Sequence, residues 1–313
     1  MTRTFHVVTQ RQWMRDELMQ ALTPHGWQVL AHHGLSDLPA EVGIDPDHVL
    51  WAPGAFVARQ LLTRPLVLAA PHPWFLHELH RSGLLGRPIT NVTVRTARNH
   101  PVEGFWKLAD AKWDRFPARW RTVDEMLMDL WDTAELPAES LLTFCPKRLP
   151  PAIEYRAVII DNAAVTVSRY LDEHGRSRDD EHFSNGAESP LPEQGHPDSD
   201  VARVAAFVTH LMPAIRQINV APQAFVLDIG VVRGGGVVGS GPDAALHVVE
   251  ANPAWCSAWY GSDLPAFAEA VAVAQGPHIL EDEIWQPDSV LHRRAERSGP
   301  LPVDQTRHDR SSA

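Results

Sequence analysis

Three oxygen-bearing side chains stand where apolar strands do not ordinarily carry them. Asp228 interrupts the run from Ala224-Phe225-Val226-Leu227 to Ile229-Gly230-Val231-Val232; Glu250 closes His247-Val248-Val249, and Asn252 follows two residues later. Side chains at i and i+2 of a strand share a face, so Glu250 and Asn252 point the same way. Should the Asp228 strand pair with theirs, two carboxylates and an amide converge on one small volume. Such a donor set suits Mg²⁺, which takes few carboxylate oxygens and keeps positions for water and phosphate. The competing reading makes Asp228 the start of a turn and Glu250 with Asn252 the cap of a strand end beside Pro253. An unpaired carboxylate inside an apolar strand is costly, which favours the metal reading.

A second set is basic. Lys107 lies in Phe105-Trp106-Lys107, Lys112 follows Ala109-Asp110-Ala111, and Arg119 follows Phe116-Pro117-Ala118. Arg156 comes after Glu154-Tyr155, and Arg169 two residues past Val167. Taken singly, each is a solvated surface charge or an ion-pair partner; five cations on or beside the strands of one sheet would suit a polyphosphate and a developing oxyanion. The 17 histidines are mostly scattered, and no Cys or Glu completes a zinc pattern around His77 and His80. Surface and core histidines are the expectation.

The elements that must position these groups follow from periodicity. Residues 5–9 read as a strand and Gln10–Leu22 as a helix stopped at Pro24-His25-Gly26. Strands are expected at 27–31, 49–52 and 66–69, with a helix at 55–62. This alternation predicts a small α/β unit over residues 1–88 with parallel strands. From residue 89 the texture becomes antiparallel, with strands at 89–95, 104–108, 141–145, 155–160 and 164–170. Asp161-Asn162 marks a turn between the last two. The polar stretch 172–200 reads as a mobile flap or plain disorder. Helices are expected at 201–215 and 264–274, with strands at 225–232 and 247–251 between them. Gly234-Gly235-Gly236 lacks the Lys-Ser/Thr of a phosphate loop and reads as a hairpin turn. Residues 286–313 read as a flexible polar tail.

With 313 residues, two cysteines that cannot form a disulfide framework and no apolar run able to span a bilayer, a soluble cytoplasmic protein without membrane partners is expected. The formal charge of −11 argues against nucleic acid as a general partner.

The succession Phe105-Trp106-Lys107, Phe116-Pro117-Ala118-Arg119, Glu154-Tyr155-Arg156-Ala157-Val158-Ile159, Ser168-Arg169-Tyr170, Val226-Leu227-Asp228-Ile229-Gly230 and Val249-Glu250-Ala251-Asn252 with Trp255 and Tyr260-Gly261 resembles the ATP-grasp superfamily. More narrowly, it is similar to the clade named for two arginines and a lysine. The resemblance implies an α+β fold in which two lobes with antiparallel sheets, over residues 89–285, grip ATP behind a small α/β domain. It implies Lys107, Lys112 and Arg119 on the nucleotide, with Phe144, Cys145 and Glu154 along the stretch that passes the adenine. Relatives carry an acidic residue there, whereas this chain has the apolar and then basic Thr143-Phe144-Cys145-Pro146-Lys147-Arg148. Asp228, Glu250 and Asn252 would hold Mg²⁺; Arg156 and Arg169 would face the γ-phosphate or an acyl phosphate. The activity implied is activation of a small-molecule or peptide carboxylate and its transfer to an amine or similar nucleophile. A phosphotransferase and a non-catalytic nucleotide-binding module remain open as alternatives. Because relatives often pair, a homodimer is a further expectation.

Overall fold

The structure, a computed structural model, describes residues 2–32, 38–85, 87–109, 113, 115–147, 153–171, 198–231, 246–287 and 289–298. Lys112, the triple glycine at 234–236 and the polar stretch up to residue 197 lie outside the described residues.

The chain opens with β1 (Arg3–Val8), α1 (Gln12–Leu22), β2 (Trp27–His32), β3 (His48–Trp51) and α2 (Gly54–Gln60). The three strands form a parallel sheet in the order β2-β1-β3. Gly26 takes φ +83° between α1 and β2, a conformation glycine adopts at no steric cost. The strand expected at 66–69 does not form. Leu68 and Ala69 make only single bridges, to Gln275 and Ile284. The exposed edge of β3 is instead met by Gln275, whose amide exchanges hydrogen bonds with the backbone of Leu50 at 2.9 and 2.8 Å. A side chain thus covers an edge that would otherwise invite another strand.

After α3 (Phe75–Arg81), β4 (Thr90–Thr93) runs directly into α4 (Val94–Asn99), because the Thr93 hydroxyl accepts from the Thr96 amide and caps the helix. The expected strand therefore stops short of Arg95. Next come β5 (Gly104–Leu108), β6 (Arg119–Arg121), α5 (Val123–Asp132) and β7 (Leu141–Cys145), giving an antiparallel sheet in the order β4-β7-β5-β6. Trp106 and Leu108 of β5 enter its core with Phe116, Met126 and Leu130. That alternation turns Lys107 to the opposite face.

The second antiparallel sheet is built from β8 (Ile153–Ile160), β9 (Ala163–Leu171), α6 (Asp198–Ile218), β10 (Ala224–Val231) and β11 (Leu246–Asn252), ordered β11-β10-β8-β9. Asp161 and Asn162 join β8 to β9 with φ of 50° and 70°, the backbone that a two-residue hairpin demands. One face packs Tyr155, Ala157, Phe225, Leu227 and Ile229 against α6. The other face packs Val158, Ala224 and Val226 against α7 (Leu264–Val273) and the parallel sheet. Each fully buried Phe or Val there contributes about 1.5–3 kcal/mol. Beyond Gln286 the chain forms α8 (Ser289–Ser298), which the polar composition did not predict. Val290 and Ala295 supply its buried face. No helix among the described residues is long and apolar enough to cross a membrane.

Candidate active site

β10 and β11 pair antiparallel with Asp228 opposite Glu250 and Val226 opposite Asn252. Residues directly opposite share a face, so Asp228, Glu250 and Asn252 stand together. Asp228 therefore does not start a turn: it lies mid-strand and fully buried.

Spacing alone does not place Glu250 there. The ladder shifts between Asp228 and Ile229, because Ile229 pairs with Val248 and leaves Val249 over as an extra residue. Val248 consequently packs in the core beneath α6, alongside Ile229, while Glu250 two positions on faces the other side. This is a β-bulge, a device that re-aims a side chain.

Asp228 is neutralised by Arg156 of β8, its cross-strand partner. Nε reaches Oδ1 at 2.8 Å and Nη2 reaches Oδ2 at 2.8 Å, a two-pronged pair with both side chains buried. Arg156 Nη1 also donates to the Ala258 carbonyl at 2.7 Å, and the guanidinium lies 4.6 Å from the Tyr260 ring centroid. The Asn252 amide bridges the two acids, donating to Asp228 Oδ2 at 3.1 Å and to Glu250 Oε1 at 2.9 Å. From the other antiparallel sheet, Lys107 Nζ donates to Glu250 Oε2 at 2.7 Å. The row Arg156–Asp228–Asn252–Glu250–Lys107 therefore crosses both sheets.

It borders a cavity of about 1180 Å³ lined by Lys107, Thr143, Arg156, Glu250 and Asn252. Trp51, Trp255 and Trp285 form apolar wall. The indole N–H groups of Trp51 and Trp255 are tied to the carbonyls of Ser257 and Ala69, which fixes both rings in place. These walls were not anticipated. They come from separate parts of the chain, and the bridge from Ile284 to Ala69 holds Trp285 against Trp255, with ring centroids 4.9 Å apart.

Other expected residues are placed elsewhere. Arg169 stands opposite Tyr155, whereas Ser168 stands opposite Arg156. Arg169 is thus on the sheet face away from Arg156, and it does not line the cavity. Arg119 is exposed and paired with Asp129 at 2.9 Å; that hydrogen bond, the largest cause, raises its pKa. Phe144 packs on Trp106 with ring centroids 4.5 Å apart, and Cys145 is buried with its thiol donating to the Lys147 carbonyl. Neither lines the cavity, nor does Glu154 on β8.

The residues present fit a divalent cation. Lys107 already holds a positive charge against Glu250, and Asn252 offers an amide between the two carboxylates. Of the three, Glu250 and Asn252 line the cavity whereas Asp228, buried beneath them against Arg156, does not. Among the described residues no group of three His, Cys, Asp or Glu side chains could hold a metal.

No curated protein matches the chain. Among solved structures, a RimK domain ATP-grasp protein from Sphaerobacter thermophilus is similar at 13% identity and TM-score 0.45, covering 86% of this chain and 99% of that one. The N5-carboxyaminoimidazole synthase of Aspergillus clavatus, in complex with ADP and 5-aminoimidazole ribonucleotide, is similar at 9% identity and TM-score 0.48, covering 88% and 78%. The D-alanyl-alanine synthetase A of Vibrio cholerae is similar at 10% identity and TM-score 0.42, covering 86% and 94%. The model of an ATP-grasp domain family, the second family of the clade named for two arginines and a lysine, matches residues 84–270, which span every strand of both antiparallel sheets. With more than half of its residues inside that match, this chain belongs to the ATP-grasp superfamily and, within it, to the two-arginine, one-lysine clade.

Proposed function

We propose that the protein is an ATP- and Mg²⁺-dependent ligase that activates a carboxylate as an acyl phosphate and joins it to an amine or similar nucleophile. The observation that carries this reading is the Lys107–Glu250 contact, which brings a cation from one antiparallel sheet onto an acid of the other at the edge of the cavity. Glu250 and Asn252 would hold Mg²⁺, which when bound supplies charge neutralisation and Lewis acidity to the phosphates. Lys107, relieved of its duty to Glu250, turns its ammonium to the anionic phosphate tail. Asp228 keeps the Asn252 amide oriented and keeps Arg156 fixed. Arg156 places a positive charge beside the cavity for the negative charge that develops as the acyl group is attacked. Phosphoryl transfer needs little more from a protein than positioning and charge, so no side-chain nucleophile is required. The acid and amine are small molecules or peptides in this reading.

The test is ADP formation by purified protein with Mg²⁺, scanning carboxylic acids with and without amines. Dependence on acid and amine together supports ligation, whereas ADP and a released phosphorylated acid from the acid alone would make the protein a phosphotransferase. Glu250→Gln is expected to lose about 100-fold or more in rate, as is Lys107→Met. Wild-type turnover by Glu250→Gln would overturn the roles of Glu250 and Lys107, and absence of Mg²⁺-dependent turnover in the wild type would leave a nucleotide-binding module.

A further inference from the structure

Arg87 lies in the connection before β4, touches none of the groups in the row from Lys107 to Arg156 and does not line the cavity. It is nonetheless 8% exposed, and its Nη2 donates to the carbonyls of both Val248 and Val249, at 3.0 and 3.1 Å. Those two carbonyls belong to the bulge that puts Glu250 on the cavity face. The extra residue of a bulge is left out of the ladder, so its backbone groups need another partner. A charged donor supplies a stronger bond than a neutral one. Burial lowers the Arg87 pKa, and the nearby Cys145 thiol and Glu154 carboxylate act the other way. Cys145 ends β7 in one antiparallel sheet and Glu154 begins β8 in the other, so Arg87 stands where the two sheets meet.

We infer that Arg87 is a positioning residue for the proposed reaction: by clasping the carbonyls of Val248 and Val249 it locks the bulge and so fixes the face and reach of Glu250. The inference rests on the ligase reading for its catalytic consequence, but its structural content stands apart from that reading. Without the clasp, the strand between Val248 and Asn252 has an alternative. Slipping by one residue would restore a regular ladder and carry Glu250 toward the α6 core, away from Lys107 and Asp228. Both bonds come from the one nitrogen Nη2, which the rigid, planar guanidinium holds between the two carbonyls, whereas a flexible lysine stem fixes its ammonium less well.

The experiment compares wild type, Arg87→Met and Arg87→Lys. Arg87→Met is expected to lower kcat by about 10- to 100-fold, the loss of a buried charge-assisted bond, with KM for ATP changed less than about threefold and a raised Mg²⁺ requirement. Arg87→Lys should recover part of the rate. In a Glu250→Gln background the same Arg87→Met change should have little further effect on kcat, since its route runs through Glu250. A purely structural role would instead lower the melting temperature and multiply both backgrounds equally, and that outcome overturns the inference. Amide hydrogen exchange provides the readout besides activity. Protection in Leu246–Asn252 should fall in Arg87→Met while β8 and β9 keep theirs, and unchanged protection there also overturns it. Should wild type show no Mg²⁺-dependent turnover, the function proposed above fails, and the exchange measurement still decides whether Arg87 holds the bulge.

Discussion

Two rows of polar side chains cross strands in this molecule, and they are built on opposite plans. On the parallel sheet, His6 Nδ1 lies 2.9 Å from His32 Nε2, and His6 Nε2 lies 3.1 Å from His48 Nδ1, the rings stacked 5.2 and 5.3 Å apart. Burial, then the proximity of His32, His48 and Arg64, lowers the His6 pKa to about 3. Across the two antiparallel sheets, Arg156, Asp228, Asn252 and Glu250 of the second and Lys107 of the first alternate cation, acid and amide. The histidine row contains groups of one kind, and both nitrogens of its buried member His6 are consumed within the row. The mixed row sets cations against acids with an amide between the two acids, and its end at Lys107 and Glu250 opens on a cavity. Charge held in place next to solvent-accessible space is what binding a nucleotide and a metal requires. A neutral stack offers neither.

Removing one sign from the mixed row should have the largest effect. Asp228→Ala leaves Arg156 buried without its counter-ion and is expected to cost about 3–5 kcal/mol in denaturant unfolding. A cost under about 1 kcal/mol would show that the two rows do not differ in the way described. The histidine row should instead respond to acid. Folded His6 takes up a proton only near pH 3, whereas the unfolded side chain does so near 6.5. Unfolding therefore binds a proton across that window, and the stability contributed by neutral His6, full above pH 6.5, falls as pH drops toward 3. The expected slope is up to about 1.4 kcal/mol per pH unit. Melts of wild type and His6→Leu at pH 7 and pH 5 check it: their difference should shrink at pH 5, and parallel shifts would refute the assignment. The smallest effect is expected outside both rows. Arg119→Ala breaks exposed pairs with Asp129 and Glu125, a loss of under about 1 kcal/mol, and ATP turnover should stay within about twofold if Arg119 is remote from the nucleotide. A large rise in KM for ATP would bring Arg119 back to the phosphates.

Much of this was legible in the chain. Asp228 and Glu250 stand out because a carboxylate in an apolar strand must have a partner, and Lys107 because its neighbours Trp106 and Leu108 claim the core. The parallel unit at the start and the antiparallel texture after residue 89 follow from period and turn residues. Other assignments failed for local reasons. The strand at 66–69 is apolar because it is buried, but its backbone bonds go to single bridges and not to a ladder. What Arg169 does is not settled by its register, which only places it opposite Tyr155 and on the other face from Arg156. The histidines look scattered because residues 6, 32 and 48 become neighbours only through parallel strand pairing.

Residue types and their periodicity determined which side chains carry charge, which strands are buried and which family the chain resembles. Tertiary structure alone decided that Lys107 meets Glu250, that Arg156 closes on Asp228, and that three tryptophans wall one cavity. The reason lies in range. Alternation along a strand is a local steric property, whereas the face on which Glu250 stands depends on one extra residue at Val249, whose position is settled by its partner strand and by Arg87.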